Sequence, residues 1–166
     1  MTLRAPEPLA DHHDLGPFEC GIATLDDWLK RRARANHATG ASRCYVATTG
    51  DRVIGYYALG AGAVGVKTAP GKFRRNMPDP VPVIVLGRLA IDKSWQGRGL
   101  GRALVRDAGL RVVQASTMIG ARGMLVHAMT DEARSFYIAL GFAPSPLDPM
   151  TLMVTVDDLR RAASEG

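Results

Sequence analysis

Three glycines alternate with larger residues in WQGRGLGR, Trp95 to Arg102, directly after the apolar run VPVIVLGRLAID and ahead of a helix-like pattern. Such a loop can hold phosphate. Glycine backbone approaches an anion with no Cβ in the way, and a following helix start offers unpaired N–H groups and a partial positive charge. The spacing decides which phosphate. A triphosphate loop requires GxxxxGK[ST], and no Lys-Ser or Lys-Thr follows these glycines. The dinucleotide fingerprint is GxGxxG near the start of its unit, whereas Gly97, Gly99 and Gly101 give GxGxG deep within the chain.

The elements that position this loop follow from periodicity. Residues 25–38 predict a helix, with acids at its start and bases after them. Residues 42–48 and 53–64 predict a hairpin across Gly50-Asp51. Residues 66–82 predict a long loop with four prolines and the cluster Lys72, Arg74, Arg75. A central strand is expected over 83–91, a helix over 100–115 and a second central strand over 123–129. A helix over 131–140 would be capped by Thr130 and ended by Gly141, and a last strand covers 151–156. The fold class is α/β, an α+β mixed sheet with helices on its faces. At 166 residues the chain suits one domain, 1–166, with a sizeable core.

Composition narrows the classes. No apolar run approaches the roughly 20 residues that span a bilayer, and the N-terminus lacks a signal-peptide core, so a cytoplasmic protein without a membrane partner is expected. Cys20 and Cys44 read as partly buried free thiols. No Cys/His spacing suggests a metal, and the adjacent His12 and His13 read as surface residues. The net charge is +5 with a pI near 9.6. It is carried almost entirely by arginine, whose forked donors suit phosphate, so a nucleic-acid partner is permitted.

Gln96 to Gly101 also fits Q/R-x-x-G-x-G/A, and here the sequence resembles the GNAT acetyltransferases. Downstream, Ala133, Phe136, Tyr137, Gly141 and Phe142 match that family's A-x-x-F-Y-x-x-x-G-F ending. The resemblance implies the GNAT acyl-CoA N-acyltransferase fold, with splayed central strands and helices on both faces. It implies acetyl-CoA as co-substrate. Its pyrophosphate would lie on backbone N–H groups from Arg98 to Ala103, within a cofactor-binding loop of Gln96, Gly97, Arg98, Gly99, Leu100, Gly101, Arg102 and Ala103. Its pantetheine arm would lie along Leu89, Ala90 and Ile91, with Ser135 and Phe136 near the thioester. Tyr137 would donate a proton to the departing sulfur, since tyrosine at about 10 remains protonated where a thiol at about 8.5 does not.

The strand ahead of the loop holds no acid, and Asp92 stands at its end. Without a base, an acceptor must be partly neutral already. A lysine is neutral to roughly 0.04 % at pH 7, an α-amine to roughly 10–20 %. The acceptor is therefore expected to be an α-amine.

Further stretches resemble one branch of the family: APEPL at Ala5–Leu9, FECG at Phe18–Gly21 with LDDWLK at Leu25–Lys30, FRRNMPDP at Phe73–Pro80, LGRLA at Leu86–Ala90 and SPLDPM at Ser145–Met150. These are similar to the GNAT toxins of type II toxin–antitoxin modules. That resemblance implies acetylation of aminoacyl-tRNA, arrested translation, a ribbon-helix-helix antitoxin and a homodimer. It points to Arg74, Arg75 and Arg88, then Lys30, Arg31 and Arg34, as tRNA-binding cations. Two alternatives share the observations: a GNAT acting on a protein or small-molecule amine, and a non-catalytic subunit that binds antitoxin and nucleic acid.

Overall fold

The β-branched and aromatic runs become strands and the three stretches expected to be helical become helices. The computed structural model describes residues 2–165. In order these are β1 (Leu3–Pro8), α1 (Ala23–Arg31), α2 (Ala33–Thr39), β2 (Arg43–Thr49), β3 (Arg52–Val64), α3 (Gly71–Arg74) and β4 (Val81–Ile91). After the 3₁₀ turn Lys93–Trp95 come α4 (Leu100–Ser116), β5 (Gly123–His127), α5 (Asp131–Ala139), β6 (Ala143–Pro144), β7 (Thr151–Thr155) and α6 (Val156–Glu165). The strand order is β1-β2-β3-β4-β5-β7-β6. The chain partitions into two compact units. The first runs to Gly60 and resumes over Gly87–Asp107; the second holds Ala61–Leu86 and the chain from Ala108 onward. Strands β3 and β4 and helix α4 each pass from one unit into the other.

In the first unit, β1, β2 and β3 pair antiparallel, and the expected hairpin turns at Gly50, whose φ is 58°. Consecutive β3 residues face different helices. A Cβ at Gly55 would stand 3.1 Å from Leu104 of α4, while Tyr56 packs with Trp28 of α1 and donates its hydroxyl to the Leu25 carbonyl at 2.7 Å. Helices thus cover both faces of β3. The expected helix over 25–38 is two helices. Arg32, at φ −120° and ψ −30°, ends α1 with its N–H on the Trp28 carbonyl, and the chain restarts as α2. Leu29 and Ala33, either side of the break, are both fully buried. Strand β1 escapes a periodicity search because Pro6 and Pro8 interrupt it. It lies at the sheet edge, with a register shift between Arg4 and Glu7, where proline is tolerated.

His13 corrects the surface reading. It is 3 % exposed; its Nδ1 accepts the Ala10 N–H at 2.9 Å, so Nε2 carries the proton and donates to Glu7 Oε1 at 2.8 Å. The ligand atoms of Glu7, His12 and His13 lie within 4.8 Å of one another. A metal on His13 Nε2 would require a proton on Nδ1, facing the Ala10 donor, so this histidine is a brace for β1.

In the second unit, β4 and β5 run parallel and β7 pairs antiparallel with both β5 and β6. Phe73, Val81, Val83, Leu125 and Met153 form its core. Phe73 arrives on α3, a four-residue turn inside the stretch read as loop, too short to show a period. Gly123 allows no side chain: a Cβ there would collide with the Val154 carbonyl and stand 2.8 Å from the Phe73 ring. Gly123→Ala is expected to cost about 1–3 kcal/mol in a denaturant melt. Thr130 caps α5 as expected, its hydroxyl accepting the Ala133 N–H at 3.0 Å, and Gly141 follows with φ 99°.

Candidate active site

The glycine loop is fastened at its entry. Asp92 accepts the Glu19 N–H at 2.9 Å, the Ser94 N–H at 3.0 Å and the Ser94 hydroxyl at 2.6 Å, and sits 3.4 Å from Arg52. Burial pushes its carboxyl up, but these hydrogen bonds and the Arg52 charge outweigh burial and hold it below the usual range. Asp92 is therefore a capping group and a poor base. Gln96 Nε2 donates to the Cys20 carbonyl at 2.8 Å and the Ile91 carbonyl at 2.9 Å, tying the loop to the end of β4 and the segment before α1. Gln96 thus positions the loop through its side chain.

Gly97 and Gly99 adopt φ of 77° and 81°, the left-handed region that disfavours a side chain. Helix α4 starts at Leu100. The Ala103 N–H closes the first helical bond on the Gly99 carbonyl at 3.2 Å. The N–H groups of Leu100, Gly101 and Arg102 precede that bond and point out of the helix start. Arg98 stacks on Trp95, 4.7 Å from the ring centroid, which draws its charge alongside the loop. The backbone from Arg98 to Arg102 thus has an arrangement able to receive an anion, while the Ala103 N–H is already spent on the first helical bond.

Strand β4, VPVIVLGRLAI, contains no acid. Its parallel ladder with β5 runs from Ile84↔Met124 to Leu86↔Val126, so Leu89, half-buried, Ala90, buried, and Ile91, half-buried, lie beyond it.

Tyr137 is buried on α5, edge-on to Phe136 at 5.1 Å and to Phe142 at 5.3 Å. Burial pushes its phenol up to about 12. Among the described residues its hydroxyl makes no hydrogen bond, so its proton is free for another acceptor. Ser135 is exposed and Phe136 half-buried on the same helix. Thr151, at the start of β7, donates its hydroxyl to Asp148 at 2.7 Å and so accepts from Nδ1 of His127, at the end of β5, at 2.9 Å. Cys20 and Cys44 are free and buried, and burial pushes their thiols up to about 11 and about 12. Neither is a thiolate nucleophile at neutral pH.

The cations separate into groups. Lys30, Arg31, Arg74 and Arg75 are exposed. Arg34 is committed to backbone, its Nη2 donating to the His13 carbonyl at 2.6 Å and reaching that of Asp11 at 3.4 Å. Arg88 lies over Trp28, its Cζ 4.6 Å from the ring centroid, and Trp28 stacks on Tyr56 with ring centroids 5.8 Å apart. Sequence reading assigned Trp28 no part in the site, because nothing in a helical period distinguishes a core tryptophan from a platform.

A mixed sheet that includes the parallel pair β4–β5, with a glycine-turned helix start after β4 and a buried tyrosine two elements later, is the architecture of an acyl-CoA N-acyltransferase. The GNAT acetyltransferase domain profile matches residues 40–144, and the chain belongs to that family. It is 53 % identical over 156 residues, 94 % of each chain, to a protein of Mycobacterium tuberculosis named tRNA-acetylating toxin. Its structure is similar to that of AtaT complexed with acetyl-methionyl-tRNAfMet, with a TM-score of 0.89 and 31 % identity over 98 % of this chain and 99 % of that one. It is also similar to a mutant of AtaT bound to the C-terminus of the antitoxin AtaR and acetyl-CoA, with a TM-score of 0.83 and 29 % identity over 99 % of both chains.

Proposed function

We propose that this chain is an acetyl-CoA-dependent N-acetyltransferase toxin that acetylates the α-amine of aminoacyl-tRNA and so blocks translation. The observation that carries this reading is the 53 % identity to a tRNA-acetylating toxin across 94 % of both chains. Residues 1–166 act as one catalytic domain, since β3, β4 and α4 run unbroken through both units. The partners are aminoacyl-tRNA and an antitoxin of the ribbon-helix-helix type, and the active form is a homodimer in the cytoplasm. Among the described residues no helix is long and apolar enough to cross a membrane.

The residues support a direct transfer. Backbone N–H groups from Arg98 to Arg102 take the pyrophosphate, with Gln96 and Gly97 setting the loop and Ala103 anchoring its helix. Leu89, Ala90 and Ile91 receive the pantetheine arm along β4, and Ser135 and Phe136 border the thioester end. The neutral acceptor amine attacks the thioester carbonyl, and the carbon–nitrogen bond forms as the carbon–sulfur bond breaks. Tyr137 gives its proton to the departing thiolate, and the proton shed by the acceptor nitrogen passes to water, from which Tyr137 is reprotonated. No residue of β4 takes a proton, which suits an α-amine beside an ester. Buried thiols leave no covalent route through cysteine.

The pH profile follows. Tyr137 stays protonated up to about 12, so it imposes no basic limb at lower pH. The acceptor α-amine must lose its proton, so kcat/KM should rise as pH climbs towards about 8 and then level off. Steady-state rates from pH 6 to 10 test this, and a fall between pH 8 and 10 would contradict the assignment of Tyr137. The function itself is tested by offering labelled acetyl-CoA with charged tRNA, deacylated tRNA and a protein and polyamine panel. Label should appear on charged tRNA alone. Label only on protein or polyamine would replace the tRNA reading.

A further inference from the structure

Arg88 differs from every other candidate cation of the first unit. It is half-buried, its Nε is sealed from solvent with no hydrogen-bond partner, and its one described contact is the Trp28 ring. Among the described residues no carboxylate pairs with it. A guanidinium drawn towards the interior without an acceptor is an uncompensated cost, and such a group calls for an explanation. The cation–π contact offsets part of that cost and satisfies none of the N–H groups. The platform beneath is fixed: Trp28 stacks on Tyr56, and the Tyr56 hydroxyl is locked on the Leu25 carbonyl. The side chain is therefore held ready, with its donors unspent.

A planar fork with free donors matches two oxygens of a phosphate. Two phosphate sources exist for this reaction, coenzyme A and the acceptor RNA. The coenzyme's pyrophosphate belongs to the Arg98–Arg102 cradle. Arg88 instead precedes Leu89, at the thioester end of the pantetheine path, where the acceptor must arrive. On the reading that the acceptor is aminoacyl-tRNA, we propose that Arg88, seated on Trp28, clamps a phosphodiester in the single-stranded 3′ end of that RNA, next to the reacting ester. Lys30, Arg31, Arg74 and Arg75 then supply diffuse attraction, and Arg34 supplies little because it already serves backbone.

The test is steady-state kinetics of Arg88→Ala, Arg88→Lys and Trp28→Leu, with aminoacyl-tRNA and acetyl-CoA varied separately across a salt series. Arg88→Ala should raise KM for aminoacyl-tRNA about tenfold or more, hold KM for acetyl-CoA within about twofold, and flatten the salt slope by about 0.7–0.9. Arg88→Lys keeps the point charge, so it should restore the salt slope while KM for aminoacyl-tRNA stays raised. Trp28→Leu should raise the same KM less than Arg88→Ala, with the slope intact. A matching rise in KM for acetyl-CoA would assign the phosphate to the coenzyme and overturn the proposal. So would an unchanged KM and slope for aminoacyl-tRNA. If Arg88→Ala fails a thermal-melt check of folding, the split between KM and salt slope in Arg88→Lys distinguishes the same outcomes. Wild-type protein that leaves charged tRNA unlabelled overturns the aminoacyl-tRNA reading itself, a result obtained before any variant is compared.

Discussion

Replacing Tyr137 with phenylalanine should lower kcat by roughly 10²–10⁴-fold, the usual contribution of a positioned general acid. The fold should survive. The ring sits between Phe136 and Phe142, and its hydroxyl has no partner among the described residues whose loss would leave a buried group unpaired. Stability should therefore change by less than about 1 kcal/mol. Acetyl-CoA binding, followed by calorimetry, should hold steady, because the hydroxyl acts on sulfur only as the carbon–sulfur bond breaks. The cause can be isolated by changing the leaving group. An acyl donor with a more acidic thiol needs less help from a proton, so the deficit should shrink with such a donor. An unchanged kcat, or a deficit indifferent to the leaving group, would remove Tyr137 from this role.

Gly99→Val attacks the other half of the chemistry. Gly99 sits at φ 81°, and no atom lies within 4 Å of the place a Cβ would take. The substitution therefore clashes with nothing and acts through backbone alone. A β-branched residue held in the left-handed region carries about 1–3 kcal/mol of strain, which the loop relieves by turning its N–H groups away from the cradle. Acetyl-CoA affinity should fall about ten- to a hundredfold, with a far smaller effect on the melting temperature. Gly97→Val, at φ 77°, should behave alike. Gly120→Ala is the control: its surroundings are equally open and its φ is not positive. Equal acetyl-CoA affinity in all three variants would show that the loop is not the phosphate cradle.

The legible parts of this protein share one property: they are local. The hairpin turn at Gly50, the Thr130 cap, the Gly141 stop and the start of α4 each depend on a few neighbouring residues, and each lies where periodicity and turn chemistry put it. The glycine spacing of Gln96–Gly101 and the tyrosine of the Ala133–Phe142 match were readable for the same reason. What escaped was set over distance. Strand β1 depends on an edge position that tolerates Pro6 and Pro8. The break at Arg32 interrupts what reads as one continuous helical period. His13 looked like surface because its partners, Ala10 and Glu7, are gathered only when β1 docks.

The amino-acid order alone therefore determined the family, the glycine loop and the acid-free strand, because each is a matter of residue type at fixed spacing. Tertiary structure decided what those residues are free to do. Asp92, at the end of that strand, became a poor base when Glu19, Ser94 and Arg52 converged on it. Arg34 was spent on carbonyls 21 and 23 residues away. Arg88 was left with its donors open above Trp28. The physical reason is common to all three. A side chain's charge is written in the sequence, but whether that charge is already paired depends on groups that only folding brings within hydrogen-bond distance.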